Sequence, residues 1–189
     1  IDDWIENNHH DFGDGWNSYT TSLRIRNWTW LFLLCPELAQ PKNIKSLWSQ
    51  IIYLSSHTEY FLGGNHWLEN ITSLIITSLQ FEGSKSSSLF NKLMIKLESE
   101  LEIQILADGG HYERSARYHL LMLDRLVEVA CIVQIRKGEC PKWLLIKLKE
   151  MVIWLDDVDA QYFGLPRYND SALSTCPDSQ AVICFAKSF

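Results

Sequence analysis

The feature that most constrains the fold is a series of amphipathic helical segments separated by short groups of helix-breaking residues. Apolar residues recur at the three- and four-residue spacing of a buried helix face, and the segment centres recur about every 25 residues. No alternating apolar and polar run of the kind that predicts a strand interrupts the series. The pattern therefore predicts an all-α chain of antiparallel helical hairpins.

Breaker and capping residues set the expected limits of these helices. Six helices are predicted, at 18–34, 42–62, 67–81, 89–107, 115–136 and 141–155. Gly63 and Gly64 are expected to end the second helix, and the serine-rich stretch 84–88 is expected to be a turn. Ser115 is expected to cap the fifth helix, and Pro141 fits the first turn of the sixth.

The helical periodicity fails after Asp156. Residues 1–160 are therefore predicted to form one helical domain. Residues 161–189, which contain Pro, Ser and Asp, are predicted to be an exit segment towards a further domain.

Composition excludes several classes of function. The chain carries 17 Lys and Arg against 23 Asp and Glu, a formal net charge of -6, which excludes a broad basic surface for nucleic acid. Any anionic ligand must therefore be bound by a local cluster. The five cysteines lack the spacing of a zinc site or a disulfide framework and are expected to be small buried residues. No cofactor is expected. No apolar run reaches the length of a membrane span.

Two short stretches are unusually rich in polar groups, and each stands at the start of a predicted helix. The first is Gly63–Asn70 (GGNHWLEN), in which His66 and Asn70 are four residues apart and share a helical face. Its alternative interpretation is a cap at Asn65 with His66 on the exposed first turn. The second is Gly110–His119 (GHYERSARYH), which could equally be a turn followed by a surface ion pair of Glu113 with Arg114.

Together these stretches resemble the N-terminal helical domain of the heparinase II/III and alginate lyase-type polysaccharide lyases. The resemblance covers nearly the whole chain, and further matching pieces are 16–19 (WNSY) with Arg24, 100–104 (ELEIQ) and 165–170 (LPRYND). Ala116 departs from the pattern, since relatives often carry Pro there. The resemblance implies an incomplete (α/α) toroid, with a β-sandwich domain expected to follow outside this chain.

The resemblance also implies a reaction, the β-elimination of a uronic acid-containing polysaccharide. Such enzymes remove the C5 proton of the uronic acid and expel the 4-linked sugar, so the neighbouring carboxylate must be neutralised as negative charge develops. By resemblance, Asn65 neutralises the carboxylate, and His66 is a second donor or a base for one epimer. Tyr118 is the acid and a candidate base. A tyrosine has a pKa near 10, so Arg114 or His119 would have to help it ionise.

The predicted substrate-binding residues are the other polar and aromatic groups of these stretches, together with one tyrosine near the start. They are His111, Glu113, Arg114, His119, Asn70, Tyr19 and Trp67. Glu113 is expected to orient Arg114. A positive rim is expected from His66, His111, Arg114, Arg117 and His119. A metal site from three of these histidines is given little weight, because no pair has the spacing of zinc ligands.

The sequence therefore leads to two hypotheses. The first is a bacterial polysaccharide lyase, periplasmic or secreted by analogy with the family, whose partner is an anionic polysaccharide and not nucleic acid. The second is a glycan-binding or surface-polysaccharide assembly protein that uses the same groove without turnover. Intact Asn65 and Tyr118 favour the enzyme, because a pure binder has no need of the tyrosine. The polymer, endo or exo action, and the oligomeric state are left open.

Overall fold

The computed structural model describes residues 1–162, 165–166, 169 and 177–189, and over these residues the chain is all-helical. The helices are α1 Asp2–Asn7, α2 Ser18–Leu34, α3 Pro41–Ser56, α4 Gly64–Ser78, α5 Ser84–Gln104, α6 Ala116–Lys137, α7 Lys142–Tyr162 and α8 Ser179–Ala186. Extended pairing in the described part is limited to an isolated bridge between Ile105 and His111. The predicted all-α class is confirmed. No helix in these ranges is long and apolar enough to cross a membrane.

The chain forms two compact units, Ile1–Leu93 and Met94–Phe189. In the first unit α2, α3 and α4 pack against one another, and in the second α6, α7 and α8 do the same. Helix α5 begins in the first unit and ends in the second. The predicted domain limit at residue 160 stays a prediction, and part of the predicted exit segment, including positions 167, 168 and 170 of the LPRYND stretch, lies outside the described residues.

Helix α4 is the most buried element of the first unit. Fourteen of its 15 residues are buried, including Leu68, Ile71 and Leu74, and His66 is the exception. A helix that is buried on every face needs internal partners for its polar side chains. Thr72 and Thr77 meet this need by donating to the carbonyls four residues earlier. The exposed edge of His66 therefore stands out on an otherwise buried helix.

Three helix ends meet at one end of the first unit. The Ser18 hydroxyl, at the start of α2, donates to the carbonyl of His57 just after α3. The Tyr19 ring lies 4.5 Å, between centroids, from the ring of His66 in the first turn of α4. These contacts make α3 antiparallel to its two neighbours and bring the start of α2 to the start of α4.

The second predicted helix is six residues too long. Helix α3 ends at Ser56, and the apolar residues Tyr60, Phe61 and Leu62, which continued its pattern, are exposed in the turn that follows. The reason is a tertiary hydrogen bond, because the backbone N–H of Glu59 donates to the Asn70 side chain at 2.7 Å instead of to a helical carbonyl. Gly63 and Gly64 accordingly lead into α4; they do not terminate α3.

Other limits also differ from the prediction, and α4, predicted at 67–81, spans Gly64–Ser78. The serine stretch begins α5 and is not a turn, because the Ser86 hydroxyl donates to the Ser78 carbonyl at the end of α4 and is buried there. Helix α7 continues to Tyr162. Helix α8 was not predicted at all. It is capped by Asp178, whose side chain accepts from the N–H of Ala181, and it buries an apolar face against α6 and α7.

Candidate functional site

The start of α4 depends on two successive glycines. Gly63 and Gly64 have φ values of +65° and +55°, a backbone conformation that strains residues with a Cβ atom. Gly63 occupies the N-cap position and has no side chain to cap with, so the alternative interpretation, in which Asn65 caps this helix, is wrong. Asn65 and His66 instead lie within the first turn, where the helix dipole favours a negatively charged ligand.

His66 combines a buried edge with an exposed one. Its Nδ1 atom is buried and 3.5 Å from the Oε2 atom of Glu59, yet 43% of the side chain is exposed. The Nδ1–Oε2 contact is within ion-pair range but lacks hydrogen-bond geometry. The tilted Tyr19 ring covers one side of the imidazole. The ring is therefore held from two directions with its opposite edge open.

The predicted binding residue Asn70 is wholly buried and joins three segments of the chain. Its Oδ1 atom accepts from the Glu59 N–H, and its Nδ2 atom donates to the Ser22 hydroxyl on α2 at 2.8 Å. Nδ2 also lies 3.5 Å from the Glu59 carboxylate. These contacts to Glu59 and Ser22 form the Asn70 clamp and use the whole amide. Asn70 therefore supports the turn before α4 and has no surface available to a ligand in this structure.

The start of α6 carries Tyr118. Ser115 caps this helix, as predicted, with its hydroxyl accepting from the N–H of Tyr118 at 3.3 Å. The preceding residue, Arg114, has φ +54°, and its carbonyl accepts from the Asn169 side chain. Tyr118 is partly exposed, and its hydroxyl has no hydrogen-bond partner among the residues that the structure describes. The phenol is therefore available for chemistry.

Two buried histidines fasten the loop that precedes α6. His119 Nδ1 accepts from the backbone N–H of His111, and its Nε2 donates to the Met151 carbonyl on α7 at 3.0 Å. His111 Nδ1 in turn accepts from the Glu113 N–H at 3.4 Å, and Nε2 donates to the Gln104 side chain. These bonds place the ring proton of both histidines on Nε2. No nitrogen lone pair on either ring remains for a metal ion.

Burial keeps both of these histidines neutral at pH 7. It lowers the pKa of His119 to about 3 and that of His111 to about 4, against an ordinary value of 6.5. The Met151 carbonyl and the Glu113 carboxylate oppose these shifts without cancelling them. Neither ring therefore contributes to a positive rim, and that part of the sequence interpretation is wrong. Any such cationic character in the second unit rests on the arginines.

A cavity of about 330 Å³ opens beside this loop. Its lining is Leu106, Asp108, Gly110, His111, Arg114 and Trp154. The loop fits closely against α7, because a Cβ atom on Gly109 would lie 2.3 Å from the Glu150 carbonyl oxygen and one on Gly110 would lie 2.6 Å from Trp154 Nε1. Arg114 is thus an exposed cation in the lining of a cavity whose loop backbone is packed tightly against α7.

The predicted site residues fall into two groups by exposure. His66, Tyr19, Glu113, Arg114 and Tyr118 are partly or fully exposed. Asn65 is 8% exposed, whereas Trp67, Asn70, His111 and His119 are 0–4% exposed. The four residues at 0–4% offer no broad face for stacking on a sugar. Asn70, His111 and His119 hold the turns that precede α4 and α6.

Sequence reasoning missed three residues that the structure brings into contact with the predicted ones. Glu59 faces His66, Gln104 binds His111, and the Trp154 ring packs on His119 with 4.3 Å between centroids. No sequence feature indicated a role for Glu59, since it lay inside a predicted helix. Gln104 was indicated only weakly, because it is the last residue of the ELEIQ stretch that resembles the family.

These features define an all-α protein whose exposed polar groups stand on two helix starts, each reinforced by buried hydrogen bonds. The family model described as heparinase II/III N-terminus matches residues 1–185. The chain therefore belongs to the heparinase II/III family, as an N-terminal helical domain.

Individual relatives agree with this assignment. The chain is 23% identical over 170 residues to a heparin-sulfate lyase of Bacteroides stercoris, and 27% identical over 132 residues to one of Pedobacter heparinus. These matches cover 84% and 68% of the chain but 25% and 20% of the relatives. The chain thus corresponds to about a quarter of the length of the curated relatives it matches.

Solved structures show the same fold. A crystal structure of heparinase III matches with a TM-score of 0.75 at 20% identity, covering 96% of this chain and 30% of that one. The heparan sulfate lyase HepC of Pedobacter heparinus matches with a TM-score of 0.68 at 20% identity, covering 99% of this chain and 33% of that one.

Proposed function

We propose that the chain is the helical part of a polysaccharide lyase that cleaves a uronic acid-containing polysaccharide by β-elimination. The observation that carries the proposal is that two helix starts have family-type residues, Asn65 and His66 on α4 and the available Tyr118 phenol on α6. The lyase activity of the relatives supports it. A periplasmic or secreted location belongs to the same proposal.

The proposed chemistry begins with the substrate carboxylate. The Asn65 amide and the N-terminal end of α4 stabilise the negative charge that develops when C5 loses its proton. The electrons of the C5–H bond form the C4–C5 double bond, and the C4–O bond breaks towards the oxygen. That oxygen takes the hydroxyl proton of Tyr118, and His66 accepts the C5 proton. Atoms and charge therefore balance without a cofactor.

The exposed guanidinium of Arg114 suggests how the polymer is held. It lines the 330 Å³ cavity beside the α6 start, and a planar cation is suited to carboxylate or sulfate groups. Tyr19 adds a partly exposed aromatic face beside His66. The buried residues His111, His119, Asn70 and Trp67 act in this proposal as positioning residues.

The direct test is to incubate the complete protein with a panel of heparan-type, alginate-type and capsular uronate polymers. The ultraviolet absorbance of unsaturated products should rise with at least one polymer. Measurable binding without any such rise would contradict the lyase proposal and favour a glycan-binding protein.

The sharpest variant is Tyr118→Phe, which keeps the ring and removes the hydroxyl. Turnover should fall at least about a hundredfold, as expected for a lost general acid. Affinity should stay within a fewfold, because the proton acts mainly in the transition state. Tyr60→Phe, in an exposed turn, is the matched control and should retain turnover. Near-normal turnover by a well-folded Tyr118→Phe protein would refute the assignment.

A further inference from the structure

We propose that Glu59 is a positioning residue for His66, one that fixes the proton of the neutral imidazole on Nδ1 and leaves Nε2 as the proton acceptor. The part of this inference that concerns catalysis rests on the proposed lyase function. The part that concerns the position of the ring proton is independent of it. The inference gives a structural reason for the base role that the proposed function assigns to His66.

The Glu59 carboxylate is held in place by the protein. Its residue is 9% exposed, and its backbone N–H donates to Asn70 Oδ1 at 2.7 Å. The Asn70 amide approaches the same carboxylate at 3.5 Å and is itself bonded to Ser22. Because backbone and side chain are both anchored to α4, the Glu59 carboxylate cannot swing away from the helix start without breaking buried hydrogen bonds.

The imidazole presents only one of its nitrogens to that carboxylate. His66 Nδ1 is buried, 3.5 Å from Glu59 Oε2, and has no hydrogen-bond partner among the described residues. A carboxylate can only accept, so a stable contact requires the ring proton on Nδ1. The Tyr19 ring, at 4.5 Å and 36°, restrains a flip of the imidazole. Because Nδ1 is buried while 43% of the side chain is exposed, the exposed part belongs to the other side-chain atoms, which include Nε2.

The consequence is chemical. With its proton on Nδ1, the neutral ring offers the Nε2 lone pair to an outside proton. When Nε2 accepts that proton, the imidazolium gains a partner in the buried carboxylate, which stabilises the charged product of the transfer. An approach of about 0.6 to 0.8 Å would turn the present 3.5 Å contact into a short charge-assisted hydrogen bond. Glu59 thus acts through His66 and does not itself touch the substrate.

Histidine ring NMR tests the position of the proton. In protein labelled with ¹⁵N at histidine, long-range ¹H–¹⁵N spectra at mildly alkaline pH should show His66 protonated on Nδ1. Glu59→Gln and Glu59→Ala should shift the population towards the Nε2-protonated form that free histidine prefers. Glu37→Gln, which neutralises an exposed carboxylate in the 3-10 turn Pro36–Leu38, should leave the His66 spectrum unchanged.

The outcomes are distinguishable. A wild-type ring protonated on Nε2, or a tautomer unaffected by either Glu59 variant, would overturn the proposal. If neither variant folds, the wild-type spectrum still decides, since Nδ1 protonation supports the proposal and Nε2 protonation contradicts it.

Kinetics separate this inference from the proposed function. In the complete protein, Glu59→Gln should lower kcat by about tenfold or more with KM within a fewfold, because it weakens a base and leaves substrate contacts intact. A wild-type protein without lyase activity would refute the proposed function and leave the NMR result standing. An active enzyme whose kcat is unchanged in folded Glu59→Gln would refute the catalytic part of the inference alone.

Discussion

The buried pair His111 and His119 should make the second unit sensitive to mild acid. Their pKa values are lowered by burial to about 4 and about 3, whereas both would titrate near 6.5 in the unfolded chain. The unfolded state therefore binds more protons as the pH falls. The stability due to the neutral rings is complete above about pH 6.5 and is lost progressively towards the folded pKa values.

The size of the effect follows from the two shifts. Between about pH 7 and pH 5 each histidine should lower the free energy of unfolding by about 2 kcal/mol, and the two together by about 4 kcal/mol. This is a large part of the 5–15 kcal/mol of a typical domain. Protonation would also break the acceptor bonds at Nδ1, so loop 105–115 should open with the unit.

Urea unfolding followed by circular dichroism at several pH values measures this loss. His119→Gln, which removes one titrating group, should halve the change between pH 7 and pH 5 to about 2 kcal/mol. His9→Gln removes an exposed histidine and controls for the substitution itself. A wild-type loss below about 1 kcal/mol would refute the reasoning, as would an NMR titration of the His119 ring near its ordinary pKa.

Three further predictions concern the loops and the site. Gly109→Ala should lower the free energy of unfolding by about 3 kcal/mol, because the added Cβ would meet the Glu150 carbonyl. Gly138→Ala, at a similar φ but in open space, should lower it by only about 1 kcal/mol in the same urea assay. Equal effects would contradict the close packing of the loop on α7. Asn70→Ala should cost about 2–4 kcal/mol in thermal or urea unfolding and Asn7→Ala, at an exposed position, less than about 0.5; a mild Asn70→Ala would show that the clamp is not important. In activity assays, Asn65→Ala should be as severe as loss of the Tyr118 hydroxyl, while Glu113→Gln should be milder; the reverse order would contradict their proposed roles.

The helix pattern was readable from the sequence where local and tertiary preferences agree. Residues 18–34 form α2 with the predicted limits, and Ser115 caps α6 as its position before an apolar-periodic run indicated. In α6 apolar residues such as Leu120, Leu123 and Leu126 are also the buried ones. In α2 the predicted limits hold although the buried side includes Thr21, Ser22 and Thr29, and Leu34 is exposed.

The prediction failed where a distant side chain competes with the helix. The turn after α3 contains apolar residues in helical register, but Asn70 captures the N–H of Glu59 from eleven residues away. The serines at the start of α5 have turn-like propensity, yet Ser86 satisfies a carbonyl at the end of α4. Neither partner can be inferred from local sequence.

The site shows the same division. The motifs located the polar helix starts, and Tyr118 and His66 have the partial exposure that a reacting group needs. The sequence did not distinguish them from His119 and Asn70, which carry similar chemistry but are wholly buried. Exposure and proton position depend on tertiary partners such as Met151 and Glu59, which no spacing reveals.

The Asn70 clamp also bears on the order in which the chain folds. Its hydrogen bond to Ser22 reaches across 48 residues, so it cannot form until α2 has docked on α4. Closing that long loop carries an entropic cost that local helix formation does not. The Asn70 clamp, which also includes the 11-residue bond to Glu59, is therefore complete only after α2 and α4 have packed together. A newly made chain would acquire its helical content before it acquires a correctly oriented His66.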